Sequence, residues 1–160
     1  MDMKNKTRFL VHGAIIGAIY VVLTIIFAPI SYGPMQVRVS EALTVLPFFT
    51  PAAIPGLFVG CVIANVYGGG GMVDIVFGSL ATLFAAFASY KMPKKILVPL
   101  PPVLINAVAI GLILNYLSNL PFFASALWVG LGQMVACYGL GYPLMMILEK
   151  YENTLFKRGR

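Results

Sequence analysis

Residues 34–82, PMQVRVSEALTVLPFFTPAAIPGLFVGCVIANVYGGGGMVDIVFGSLAT, decide the fold. The stretch is mostly apolar, yet it holds Arg38, Glu41, Asn65 and Asp74, and it is broken by Pro47, Pro51, Pro55 and the glycine run 68–71. Ionisable groups inside apolar spans are costly and mark a site or a pathway. Irregular backbone at membrane depth survives only where protein or a cavity surrounds it. The stretch therefore reads as the wall of a small-molecule site in a membrane protein, with the rest of the chain as its cage.

Composition supports a lipid solvent. The chain has 160 residues, 60% hydrophobic and 10% charged, with a mean hydropathy of +0.92. A soluble domain carries roughly 25% charged residues. The first apolar segment is too long for a removable signal peptide and lacks a small-residue cleavage site. Cys61 and Cys137 both lie in apolar runs, with no CxxC and no Cys/His cluster, so they read as buried structural thiols and no metal or cofactor is expected. The net charge of +6 comes from clusters at Lys4, Lys6 and Arg8, at Lys91, Lys94 and Lys95, and at Lys150, Lys157, Arg158 and Arg160, with Arg38 apart from them. Basic clusters flanking apolar spans set topology and meet anionic lipid; they are not a nucleic-acid footprint.

Taken in order, the apolar segments predict one domain of six spans at about 9–30, 34–49, 51–67, 72–90, 96–116 and 122–148. Reading 41–67 as one helix would put the Lys91–Lys95 cluster outside, against the charge rule, so a break is expected near Thr50-Pro51. Neither resulting piece is a comfortable full crossing, which predicts tilt, shortening or re-entrance. Both termini are then cytoplasmic in the cell membrane, and residues 31–40 and 68–71 are outer loops. Val37-Arg38-Val39 reads as extended, and helix five as beginning at Pro101 or Pro102. Gly139, Gly141 and Pro143 allow a bend in the last span.

Small residues make two smooth faces. Gly13, Ala14, Gly17 and Ala18 in the first span serve either packing within this chain or docking to a separate membrane subunit. Gly56, Gly60 and Ala64 form a second face, read as internal packing. His12 reads as an interfacial residue.

Enzyme chemistry has little support: no HExxH, GxSxG or Walker motif is present, there is one histidine, and no GK[ST] follows the glycine run. Binding fits better. Arg38, Glu41 and Asp74 lie toward the outer side, and Asn65, Asn106, Asn115 and Gln133 fall inside spans. Carboxylates accept, amides donate and accept, a set suited to a flat, polar, donor-rich heterocycle. Tyr32, Tyr67, Phe77, Tyr116 and Trp128 offer stacking surfaces. Structural readings stand beside these: an Arg38–Glu41 pair serving only the fold, Asp74 as a helix N-terminal acid, and amides bonding across helices.

The segments QVRVSEALTVLP (36–47), TPAAIPGL (50–57), Gly68-Gly69 through Asp74, FGSLAT (77–82), PLPPV (99–103) and INA (105–107) resemble the queuosine-precursor transporter family over nearly the whole chain. The resemblance implies a six-helix substrate-binding S component of an energy-coupling factor (ECF) transporter. It implies capture of a 7-deazaguanine such as preQ1 from outside, and ATP-driven uptake by an EcfT-type coupling subunit with two ATPases. It also implies that Ala14 and Ala18, with Gly13 and Gly17 beside them, dock on the coupling subunit, and that Arg38, Glu41, Asp74, Asn106 and Gln133 serve the pocket. Asp74 or Glu41 is the expected acceptor for the ligand's N–H and amino groups. Alternatives are an S component for a flavin or thiamine, an ion-coupled solo carrier, and a scaffold without ligand.

Overall fold

The structure, a computed structural model, describes residues 3–32, 37–69 and 71–151, and of Lys4 the backbone only. The Gly33-Pro34 part of the first predicted outer loop, Gly70 of the glycine run, and the basic tail with Lys157, Arg158 and Arg160 lie outside the described residues. Every regular element among the described residues is a helix, with no strand among them.

Helix α1 spans Met3–Ile26 and is followed by the single turn α2, Ala28–Ser31. Pro29 has no N–H to continue the ladder of α1, so the long helix stops just before it. The first span thus begins earlier and ends sooner than expected. Residues Val39–Phe48 form a ten-residue 3-10 helix with Pro47 near its end. Helix resumes as α3, Ala53–Gly68, on the far side of Thr50-Pro51. Gly69 caps α3 in the left-handed conformation at φ 68°, where a glycine carries no Cβ penalty. Helix α4, Gly71–Tyr90, contains a π-helical stretch at Asp74–Gly78. A 3-10 turn at Lys95–Leu97 leads into α5, Leu100–Ser118, which carries prolines in its first turn and ends at Asn119, φ 52°. Helix α6, Phe122–Lys150, contains a second π-helical stretch at Val135–Gly141, just before Pro143.

Among the described residues, four segments are long and apolar enough to cross a membrane: Asn5–Ile26, Gly71–Tyr90, Lys95–Ser118 and Phe122–Lys150. The segments Val39–Phe48 and Ala53–Gly68 are shorter. At about 2.0 Å per residue for a 3-10 helix and 1.5 Å for an α-helix, they reach roughly 20 and 24 Å, less than a hydrocarbon core of about 30 Å. Isoleucines 15 and 19, Phe84, Phe123 and Leu127 are exposed on the outside of the bundle, as lipid-facing side chains are.

The α1–α3 pair is a glycine-to-glycine contact. A Cβ on Gly17 would lie 2.8 Å from the carbonyl oxygen of Gly56, and one on Gly60 would lie 2.8 Å from that of Gly17. Gly13 meets Ala52 and Gly56 in the same way. Contacts advance together along both helices, so α1 and α3 run parallel. On the other side of the bundle, Gly111 of α5 packs on Ala126 of α6, and Ala107 lies beside Gly130, an antiparallel pair. Tyr20, Leu43, Leu57 and Cys61 are buried at the centre. Val45, Phe49, Val98 and Met145 close one end. At that same end, Lys95 is paired with Glu149, and Lys91 lies 4.6 Å over the Phe87 ring. The N-terminus of α1 and the C-termini of α4 and α6 therefore share one end of the bundle, and the described basic clusters gather there.

Candidate functional site

The site begins at the 3-10 segment. Residues three apart eclipse one another in this geometry, so Glu41 and Thr44 follow Arg38 in one row along the wall. Arg38 itself is in extended backbone, φ −85° and ψ 102°. All three side chains are buried. The guanidinium of Arg38 lies 5.6 Å over the Tyr32 ring, and its Nη1 is 3.8 Å from Cys61 Sγ. Its Nη2 stands 3.9 Å from Asp74 Oδ2. That is an ion pair too long to be a hydrogen bond.

Glu41, 1% exposed, is the hub. Its Oε1 accepts from Tyr20 Oη at 2.5 Å and from Thr82 Oγ1 at 3.5 Å. Its Oε2 accepts from Asn106 Nδ2 at 3.1 Å. Elements α1, α4 and α5 are thus tied to one carboxyl group. Gln133 of α6 accepts from Cys137 Sγ at 3.5 Å, and Cys137 lies 3.8 Å from Thr44 Oγ1, which brings the fourth long helix to the same wall. Thr82 and Gln133 each sit eleven residues from the start of their helices, roughly 16 Å along at 1.5 Å per residue, near mid-bundle.

Asn65 organises the other end. Its Nδ2 donates to the backbone carbonyl of Asp74 at 3.2 Å and to Ser79 Oγ at 3.3 Å, spanning the π-helical stretch of α4. Gly78 makes room here: a Cβ on it would lie 3.1 Å from Asp74 Oδ1 and 3.2 Å from Asn65 Nδ2. π-helical insertions often accompany functional sites because they re-aim side chains out of the α-helical register. A cleft too tight to admit a water molecule is lined by Arg38, Glu41, Gly78, Thr82, Asn106 and Gln133, together with Ile110. Asp74 stands at its rim, beside Arg38 and Gly78.

Several buried polar atoms around this space have no hydrogen-bond partner among the described residues: Arg38 Nε and Nη2, Asn65 Oδ1 and Asn106 Oδ1. Most buried polar groups in proteins are satisfied, and leaving one unpaired costs roughly 1–3 kcal/mol. Two guanidinium donors and two amide acceptors without partners thus stand in one cluster. No group of three or more His, Cys, Asp or Glu side chains able to hold a metal occurs among the described residues.

The predicted pocket residues Arg38, Glu41, Asp74, Asn106 and Gln133 come together in this one cluster, with Asn65 beside them. Glu41 is bonded to Tyr20 and Asn106 and not to Arg38, whose acidic neighbour at ion-pair distance is Asp74. Asn115 is not at the site: it is exposed and donates to the Leu120 carbonyl at 2.7 Å, closing the turn after α5. The stacking expectation also needs correction. Tyr67, Phe77, Tyr116 and Trp128 are all more than half exposed on the outside of the bundle, and only Tyr32 reaches the cluster. On α1, Gly13 and Gly17 are used up in the contact with α3, whereas Ala14 and Ala18 face outward. Tyr20 and Thr82 complete the cluster and were not singled out by sequence. Tyr20 is the one hydroxyl-bearing aromatic in the apolar run of α1, a signal too weak to separate it from an interfacial tyrosine.

Among the described residues, four apolar helices of spanning length surround a closed polar cluster, as in a membrane protein. The chain belongs to the QueT transporter family, whose model, described as "QueT transporter", matches residues 10–150. It is also similar to the queuosine precursor transporter QueT of Lactococcus lactis subsp. cremoris (strain MG1363), 43% identical over 82 residues that cover 50% of this chain and 48% of that protein. The chain thus spans about half the length of that curated relative. No solved structure matches the chain.

Proposed function

We propose that this chain is the substrate-capture component of an ECF-type importer, taking up a queuosine precursor of the 7-deazaguanine class. The observation that carries the reading is the buried cluster with unmet polar valences at Arg38 and Asn106, in a chain of the QueT transporter family. A 7-deazaguanine offers a ring carbonyl to a guanidinium, and ring N–H and amino donors to a carboxylate or an amide oxygen. Such a set of donors and acceptors fits the cluster.

Topology follows in the same proposal. The basic residues of the α4–α5 turn and the end of α6 lie at one end of the bundle, so that end is cytoplasmic by the positive-inside rule, with both termini there. The Tyr32–Arg38–Asp74 end of the cluster then opens outward. The two shorter helices Val39–Phe48 and Ala53–Gly68 complete a six-helix bundle as tilted or partial crossings. The space among the polar groups is narrow, so the ligand is admitted by a parting of the wall. The π-helical stretches of α4 and α6, which flank the cluster, supply the slack for it.

The outward pair Ala14 and Ala18 leaves a smooth patch on α1 suited to close approach by another membrane helix, the place for an EcfT-type coupling subunit. ATP hydrolysis falls to the two partner ATPases, since the sequence carries no nucleotide-binding motif. The test is uptake of labelled 7-aminomethyl-7-deazaguanine by cells expressing this chain with and without the coupling subunit and its ATPases. Uptake that needs those subunits supports the reading. Uptake that survives their loss and collapses with an uncoupler makes the chain an ion-coupled carrier instead.

A further inference from the structure

The two buried acids of the cluster are not equivalent. Both oxygens of Glu41 are already occupied, Oε1 by Tyr20 and Thr82 and Oε2 by Asn106. Asp74 differs in each respect. Its carboxyl group is the more open, at 11% side-chain exposure. Its neighbour Asn65 holds its backbone carbonyl and not its carboxyl oxygens. Its contact with Arg38 Nη2 is 3.9 Å, and that same Nη2, with Nε, has no hydrogen-bond partner among the described residues. Unpaired donors and an unsaturated acceptor therefore stand side by side at the outer rim, while a saturated acid forms the floor.

We propose that Asp74 and Arg38 together read one edge of the ligand, and that Glu41 is a positioning residue. This deepens the transport reading and rests on it. The edge is a pyrimidinone one: a ring carbonyl accepting from Arg38, with the adjacent ring N–H and exocyclic amino group donating to the two oxygens of Asp74. A carboxylate matches two parallel donors in a way an amide cannot. Arg38 is kept in place by the Tyr32 ring and Cys61, and Asp74 by the Asn65 bridge across the π-helical stretch. Gly78 keeps the space beside Asp74 Oδ1 clear. Glu41 acts at one remove: through Tyr20, Thr82 and Asn106 it fixes α1, α4 and α5 around the ligand and turns the unmet Asn106 Oδ1 toward it.

The assignment predicts which ligand atom each acid senses. The probes are 7-aminomethyl-7-deazaguanine and its analogue without the exocyclic amino group, 7-aminomethyl-7-deazahypoxanthine, titrated into the full chain in detergent. The wild-type chain should bind the analogue about 10- to 100-fold more weakly, the scale of one charge-assisted hydrogen bond. Asp74→Ala should bind the two within about threefold of each other, since the group that senses the amino donor is gone. Glu41→Gln should weaken both alike and keep the discrimination. Equal binding of the two probes by the wild-type chain overturns the assignment with no variant needed. Discrimination that persists in Asp74→Ala and vanishes in Glu41→Gln reverses the roles and also overturns it. Failure of the folded wild-type chain to bind either probe overturns the transport reading itself, and the edge assignment with it.

Discussion

Gly17→Ala puts the α1–α3 contact to a sharp test. The new methyl carbon would sit 2.8 Å from the Gly56 carbonyl oxygen, 3.6 Å from its carbon and 3.7 Å from the Gly60 nitrogen. The nearest of these is about 0.6 Å short of an ordinary contact, and the obstacle is backbone, which has no rotamer to yield. The helices must separate, and the neighbouring glycine contacts at Gly13 and Gly60 loosen with them. Overpacking of this kind costs about 1–3 kcal/mol. Alanine returns at most about 1 kcal/mol through its better helix propensity, so the net effect is destabilising by up to about 2 kcal/mol. Gly139→Ala is the internal control: a Cβ there meets nothing within 4 Å, so only the propensity gain remains. Thermal unfolding of the purified chain in detergent reads both. A shift of several degrees downward is expected for Gly17→Ala, at about 2–4 °C per kcal/mol for a chain of this size, with no loss for Gly139→Ala. A Gly17→Ala chain that melts as high as Gly139→Ala would overturn this contact, since it would mean that the added methyl meets no backbone of α3.

Other outcomes follow from the same geometry. Tyr20→Phe removes the 2.5 Å hydrogen bond to Glu41 and leaves a buried carboxyl oxygen with only the 3.5 Å contact from Thr82, so a loss of about 1–3 kcal/mol is expected in thermal unfolding. Ala18→Leu should leave thermal unfolding and ligand titration of the isolated chain unchanged while abolishing co-purification with the proposed coupling subunit, because the site faces outward; unaltered co-purification would move the proposed docking surface elsewhere.

How far the sequence disclosed this arrangement depends on the residue. Arg38, Glu41 and Asp74 stand out because a charge in an apolar run is rare and costly, and Asn106 and Gln133 stand out for a weaker version of the same reason. Tyr20 and Thr82 did not, because tyrosine and threonine are ordinary members of membrane helices and only the fold brings them to Glu41. The prolines announced the break near Thr50-Pro51, yet no periodic cue distinguishes a ten-residue 3-10 helix from an α-helix or an extended strand of the same composition. The glycine-alanine run on α1 was legible as a smooth surface but not in its phase. Adjacent positions differ by 100° around a helix, enough for Gly13 and Gly17 to pack inward while Ala14 and Ala18 turn out. The aromatic residues misled for a physical reason: lipid solvates Tyr116 and Trp128 as well as a pocket does, so their presence in a span says little about a site.

In the proposed scheme the bundle captures a 7-deazaguanine by itself, before any partner acts. Calorimetric titration of the detergent-purified chain with 7-aminomethyl-7-deazaguanine, with riboflavin and thiamine as controls, tests it most directly. Saturable binding of the deazaguanine at one site per chain, and none of the controls, is expected. Heats no larger than those of dilution, from a chain shown to be folded by its cooperative melting, would contradict it.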